Sequence, residues 1–170
     1  AAVIHPTGTG KSLIAFKLAE ENPSKHFLWL SPSEYIYQTQ LEKLNMKFPN
    51  IQFMSYSRLM KNEDSIETLH PDYIILDEFH RCGAQEWGKS VRKLLDTYPN
   101  AKRLGLSATN IRYLDNQRNM AEEIFDGKIA SEMTLGEAIV REILPEPKYV
   151  IAMYSYQKEL EQLKKRIRTL

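Results

Sequence analysis

Apolar residues along this chain fall into short unbroken runs separated by stretches of helical spacing. The runs at 1–4, 26–30, 51–54, 73–76 and 103–106 have strand length and little polar alternation, which predicts strands covered on both faces, as in a parallel sheet. Between them, 13–20 carries apolar residues at helical intervals. Tyr37, Leu41, Leu44 and Phe48 follow 4-3-4 spacing, and Trp87, Val91, Leu94 and Leu95 share one helical face. Asn22-Pro23-Ser24, Pro49-Asn50 and Tyr98-Pro99-Asn100 punctuate these units. Segment 55–61 reads as a short helix, and 62–71 as a polar loop with a helical turn. Strand and helix thus alternate over about the first 110 residues, which predicts right-handed βαβ crossovers and an α/β fold, a mostly parallel sheet between two helix layers.

The pattern is weaker beyond that point. Segment 120–125 is expected to be helical, and Thr134-Leu135-Gly136-Glu137 has the form of a capping box opening a helix to about Leu144, stopped by Pro145 and Pro147. Segment 148–154 reads as a further strand. Tyr156, Leu160, Leu163, Ile167 and Leu170 then mark an amphipathic helix whose other positions include Lys158, Lys164, Lys165, Arg166 and Arg168. Such a basic face can meet nucleic acid, although a solvated outer surface is the commoner use.

Composition narrows the function classes. The 170 residues suffice for one domain with a real core, and 23 basic against 22 acidic residues give no overall attraction to a polyanion. No apolar run approaches the ~20 residues of a membrane span, and no signal-peptide pattern opens the chain, so it reads as soluble, with no membrane partner. Cys82 is the only cysteine, which excludes an internal disulfide and a multi-cysteine zinc site and fits a cytoplasmic origin. It reads as a packing residue.

The chemistry concentrates in two places. His5-Pro6-Thr7-Gly8-Thr9-Gly10-Lys11-Ser12 lies between a predicted strand and a predicted helix. Gly8 and Gly10 let the backbone of 7–12 curl so that N–H groups converge on a phosphate, the helix adds its unpaired N-terminal donors, Lys11 reaches the β/γ-phosphates and Ser12 ligates Mg²⁺. His5 occupies the position where the general G-x-x-x-x-G-K-[ST] pattern has glycine. Asp77-Glu78-Phe79-His80 follows the buried run 73–76, at the strand end where open parallel sheets bind ligands. Asp77 can hold Mg²⁺ through water, and Glu78 can orient and deprotonate an attacking water. The two motifs must therefore lie close enough to share one magnesium-bound triphosphate.

Pro6 to Ser12 resembles motif I, Asp77 to His80 the DExH form of motif II, and Ser107-Ala108-Thr109 motif III of the superfamily 2 helicases, the DEAD/DEAH-box group, in that family's order. Ser31-Pro32-Ser33 falls where motif Ia lies. The resemblance implies a three-layer RecA-like P-loop NTPase domain, ATP and Mg²⁺ as cofactors, and a motor that couples hydrolysis to movement on nucleic acid, with DNA favoured over RNA by the DEFH form. Within it, Lys11, Asp77, Glu78 and His80 would be catalytic, Thr7 to Ser12 would bind nucleotide, and Ser12 and Asp77 would hold metal. Ser107 and Thr109 would couple hydrolysis to movement, and Ser31, Pro32 and Ser33 would contact nucleic acid, with Arg112 a weaker candidate. Asn110 replaces the proline that many relatives carry after Ser-Ala-Thr. Residues 1–145 are expected to form the ATP-binding lobe, and 146–170 to complete it or lead to a second lobe absent from this chain. An arginine finger from such a lobe is worth about 10³ to 10⁵ in rate, so poor hydrolysis is expected of this segment alone. A non-translocating nucleotide-dependent switch or scaffold is the alternative; a metabolic kinase has no use for Asp-Glu-x-His followed by Ser-Ala-Thr.

Overall fold

The computed structural model describes residues 1–35, 41–42, 47–112, 117–148, 150–151, 156, 164 and 167, the side chains of 85 and 86 excepted. Tyr37 and Leu44 of the first predicted amphipathic face lie outside the described residues, as do Leu160, Leu163 and Leu170 and most of the predicted strand and helix after 148.

The described chain runs β1 (Ala2–Ile4), α1 (Lys11–Glu21), β2 (Phe27–Ser31), β3 (Ile51–Ser55), α2 (Tyr56–Lys61), a 3₁₀ turn (Glu63–Thr68), β4 (Tyr73–Asp77), a second 3₁₀ turn (Phe79–Gly83) and α3 (Gln85–Thr97). It continues through β5 (Lys102–Ser107), a small hairpin of β6 (Ile111–Arg112) and β7 (Arg118–Asn119), α4 (Met120–Phe125), β8 (Ile129–Glu132) and α5 (Leu135–Val140). The main sheet has six strands in the order β3-β2-β4-β5-β1-β8, every neighbouring pair parallel. This is the three-layer α/β architecture of a RecA-like domain.

The unbroken apolar runs are explained by their two covered faces. Phe27, Trp29, Tyr73, Ile75 and Leu106 pack with Phe16 of α1 on one side. Leu28, Leu30, Ile74 and Leu76 point to the other, against Val91 and Leu94 of α3 and Phe125 of α4. Each such side chain, fully removed from water, contributes about 1.5 to 3 kcal/mol. Gly105 on β5 is needed for close packing. A Cβ there would come within 2.9 Å of the Phe79 ring and nearer still to Phe125, and those two rings meet edge to face at 5.2 Å.

The structure departs from the sequence pattern after 110. β8, which flanks β1 at the edge of the sheet, was not anticipated: Ile129-Ala130-Ser131-Glu132 is exposed throughout and carries no run or alternation. The helix opened by Thr134, whose hydroxyl accepts from the Glu137 N–H, ends at Val140 rather than near Leu144. Glu142 takes a left-handed conformation (φ 57°), and the N–H groups of Ile143 and Glu142 fold back onto the carbonyls of Ala138 and Ile139. That C-terminal cap, not Pro145, terminates it.

Candidate phosphate and magnesium site

All six strands run the same way, so the turn after β1 and the acidic tip of β4 emerge at one edge. They are not on adjacent strands: β5 lies between them, which places Ser107-Ala108-Thr109 in the gap. Strand periodicity adds a second constraint. Asp77 shares its face with Tyr73 and Ile75, the face that α1 covers, so its carboxylate is directed to the side from which Lys11 opens α1.

The turn itself has a backbone that could receive an anion. Gly8 (φ 91°) and Gly10 (φ 84°) occupy the left-handed region that other residues avoid. Gly10 caps α1 with no side-chain hydrogen bond, so the first helical N–H groups remain available to a ligand. Thr9 closes the turn by donating from its hydroxyl to the Pro6 carbonyl (2.8 Å). Lys11 is buried, and its ammonium donates to the carbonyls of His5 (2.9 Å) and Pro6 (3.1 Å). Burial lowers the Lys11 pKa, while Glu78 and Asp77 act in the opposite direction. Ser12 follows, half-buried, on the first turn of α1.

Burial, reinforced by the neighbouring Glu78 charge, pushes the Asp77 carboxyl up to about 6. A carboxylate so destabilised as an anion is one that a divalent cation would stabilise. Close by, the indole N–H of the buried Trp29 makes no hydrogen bond but is near enough to Asp77 to favour the ionised form. Mg²⁺ takes one or two protein oxygens and completes its shell with phosphate and water. A hydroxyl at Ser12, a carboxylate at Asp77 and the adjoining glycine turn are a donor set of that kind.

Glu78 sits in the left-handed conformation (φ 52°, ψ 46°), a costly geometry for a non-glycine residue that turns its carboxylate out of the strand direction. One oxygen lies 3.3 Å from His80 Nδ1, and the same nitrogen is 2.8 Å from Ser107 Oγ. Burial lowers the His80 pKa, although Glu78 opposes the shift. The neutral tautomer that suits both oxygens carries its proton on Nδ1. Ser107 Oγ also accepts from the Thr109 N–H (3.2 Å), and the Ser107 carbonyl accepts from the His5 N–H (3.0 Å). The end of β5 therefore joins the acidic turn to the start of the phosphate turn, a consequence of its position between β4 and β1.

Three placements were not legible beforehand. Ser31 is fully buried and its hydroxyl donates to the Ser33 carbonyl (2.7 Å), so its side chain closes a local turn rather than facing a ligand; Pro32 and Ser33 are half-exposed at the same edge. His5, in place of glycine, is buried and pairs through Nε2 with Ser131 Oγ of β8 (2.8 Å). Tyr56, which no motif marks, donates from its hydroxyl to the Asp77 carbonyl (2.8 Å). Arg112 lies beside the acidic turn, near enough to lower the His80 pKa, with its chain against Gly83. Cys82 is buried, and burial pushes its thiol up to about 12, as fits a packing residue. Among the described residues no helix is long and apolar enough to cross a membrane.

Residues 41–112 match the family described as "Type III restriction enzyme, res subunit", a span that includes the acidic motif and Ser107-Ala108-Thr109 but not the phosphate turn. Among solved structures, the crystal structure of the Pyrococcus furiosus Hef helicase domain is similar, with a TM-score of 0.63 and 16% sequence identity. That likeness, which concerns the fold, covers 98% of this chain and 42% of the helicase chain. No curated protein matches the sequence.

Proposed function

We propose that this chain, whose fold is that of a RecA-like domain, is a lobe of the superfamily 2 helicase type that binds ATP with Mg²⁺ and hydrolyses it to drive movement on nucleic acid. The reading is carried by one observation: Lys11 and the Asp77–Glu78 pair stand at one edge of the sheet, with Asp77 on the strand face that α1 covers, closely enough for Lys11 to feel both carboxylates.

The residues divide the work by chemistry. The glycine turn and the start of α1 cradle the phosphates, and Lys11 balances their charge. Ser12 and Asp77 hold the magnesium ion, which when bound neutralises charge developing on the phosphates. Glu78, turned out of the strand, orients the attacking water and takes its proton. His80, Ser107 and Thr109 form a polar path from Glu78 to the neighbouring turn, through which a change at the phosphate could reach the rest of the molecule. Pro32 and Ser33, at the same edge, are candidates to face the nucleic-acid backbone. The restriction-enzyme description of the matched family supports DNA over RNA. This chain spans 42% of the helicase chain it resembles, and an arginine finger supplied by a second lobe would raise its rate by about 10³ to 10⁵, so slow turnover is expected of this chain alone.

The test is a fluorescent ATP analogue titrated with Mg²⁺, followed by ATPase assays without nucleic acid and with single-stranded DNA, duplex DNA and RNA. Glu78→Gln should retain analogue binding and lose turnover by about 10² to 10⁴-fold. Absence of Mg²⁺-dependent binding, or undiminished turnover by the Gln variant, would overturn the proposal. Hydrolysis indifferent to every nucleic acid in the intact protein would point instead to a nucleotide-gated switch.

A further inference from the structure

Glu78 is held in a conformation that its own side chain disfavours, so something in the surrounding structure must impose it. On its C-terminal side the Arg81 N–H donates to the Glu78 carbonyl (2.9 Å), closing the 3₁₀ turn. On its N-terminal side the peptide plane is that of the Asp77 carbonyl and the Glu78 N–H. That carbonyl accepts the Tyr56 hydroxyl at 2.8 Å.

Tyr56 comes from a distant part of the fold. It is the first residue of α2, directly after the edge strand β3, and its side chain reaches past the end of β2 to the tip of β4. It is 1% exposed, and its ring stacks on Trp87 of α3 (5.6 Å, 15°). Ser55, just before it, caps α2 by accepting from the Arg58 N–H. Burial and stacking hold the ring and the cap holds its backbone, so the hydroxyl has little freedom. The Cys82 thiol, itself buried on the second 3₁₀ turn, is its other polar neighbour.

We propose that Tyr56 is a positioning residue for hydrolysis: its hydroxyl clamps the Asp77–Glu78 peptide plane and so holds Glu78 where its carboxylate can address the attacking water. The inference rests on the role proposed for Glu78 above. A tyrosine that merely filled the core would need its ring but not its hydroxyl. The geometry separates the two, because ring and hydroxyl contact different elements, α3 and the β4 tip.

Tyr56→Phe keeps the ring and removes the clamp. In the chain as it stands, ATP-analogue affinity should remain within about twofold while kcat falls about fivefold to tenfold, the worth of one hydrogen bond of about 1 to 1.4 kcal/mol. Amide hydrogen exchange at Glu78 and Phe79 should quicken by a similar factor, with protection in β2 and β4 unchanged. Unaltered exchange at Glu78 in a folded Phe variant overturns the proposal, as does kcat equal to that of the parent. A parent chain that binds no Mg²⁺·ATP overturns the functional reading instead, and this inference with it. Glu78→Gly provides the control against misfolding. Glycine accepts the left-handed conformation freely, so no strain is released when the clamp is lost, and the stability cost of Tyr56→Phe should be larger in that background than in the parent; equal or smaller losses there would refute the clamp.

Discussion

Replacing Asp77 with asparagine should make the ligand-free protein more stable while destroying its hold on magnesium. The Asp77 carboxyl titrates at about 6 in the fold against an ordinary 3.8, a difference worth about 3 kcal/mol at most. The larger cause is burial, which asparagine tolerates without a charge, and the second is repulsion from Glu78, which asparagine removes. Against this stands the lost attraction to Lys11, so a net gain of about 1 to 3 kcal/mol is expected, or about 3 to 8 °C in Tm for a chain of this size. The sign fixes the pH window. Between about 4 and 6 the native state binds more protons at Asp77 than the unfolded state does, so its contribution becomes less favourable as pH rises and the full penalty stands above about 6. The asparagine variant escapes it. Urea and thermal unfolding at intervals from about pH 4.5 to 8 should therefore show a stability gap that opens with rising pH and then levels off. Saturating Mg²⁺·ATP should reverse the order, since ligand at about 1,000 times its Kd adds about 4.1 kcal/mol to the parent. A variant no more stable than the parent at about pH 7.5, or a gap that ignores pH, would refute the reasoning.

Other perturbations probe the framework around the site. Gly105→Ala should cost about 1 to 3 kcal/mol in urea unfolding, because the new methyl group collides with the Phe79 and Phe125 rings; an unchanged midpoint would show that the rings can yield. His5 has its pKa lowered by burial and then by the nearby Lys11 charge, so the unfolded state takes up its proton first, and stability should fall as pH drops below about 6.5. His5→Gln, neutral at every pH, should show a shallower decline than the parent over that range, and identical slopes would remove His5 as a contributor.

Sequence alone determined the layered α/β character of this protein. A run such as Tyr73-Ile74-Ile75-Leu76 can sit only where both faces of a strand are covered, and that is a local property of the residues. The glycine turn after β1 and the paired acids at the tip of β4 were equally legible as features of the sequence, because they are marked by residue type and spacing, and both stand at one edge of the sheet. The edge strand β8 was not, since Ile129-Ala130-Ser131-Glu132 borrows its conformation from pairing with β1 and has no pattern of its own. Tertiary structure alone decided that β5 lies between the phosphate and acidic strands, that Ser107 joins the two turns, that Ser31 faces inward, and that Tyr56 reaches the Asp77 carbonyl. Strand order and hydrogen bonds between residues far apart in sequence depend on how the whole chain packs, and no stretch of sequence carries that information by itself.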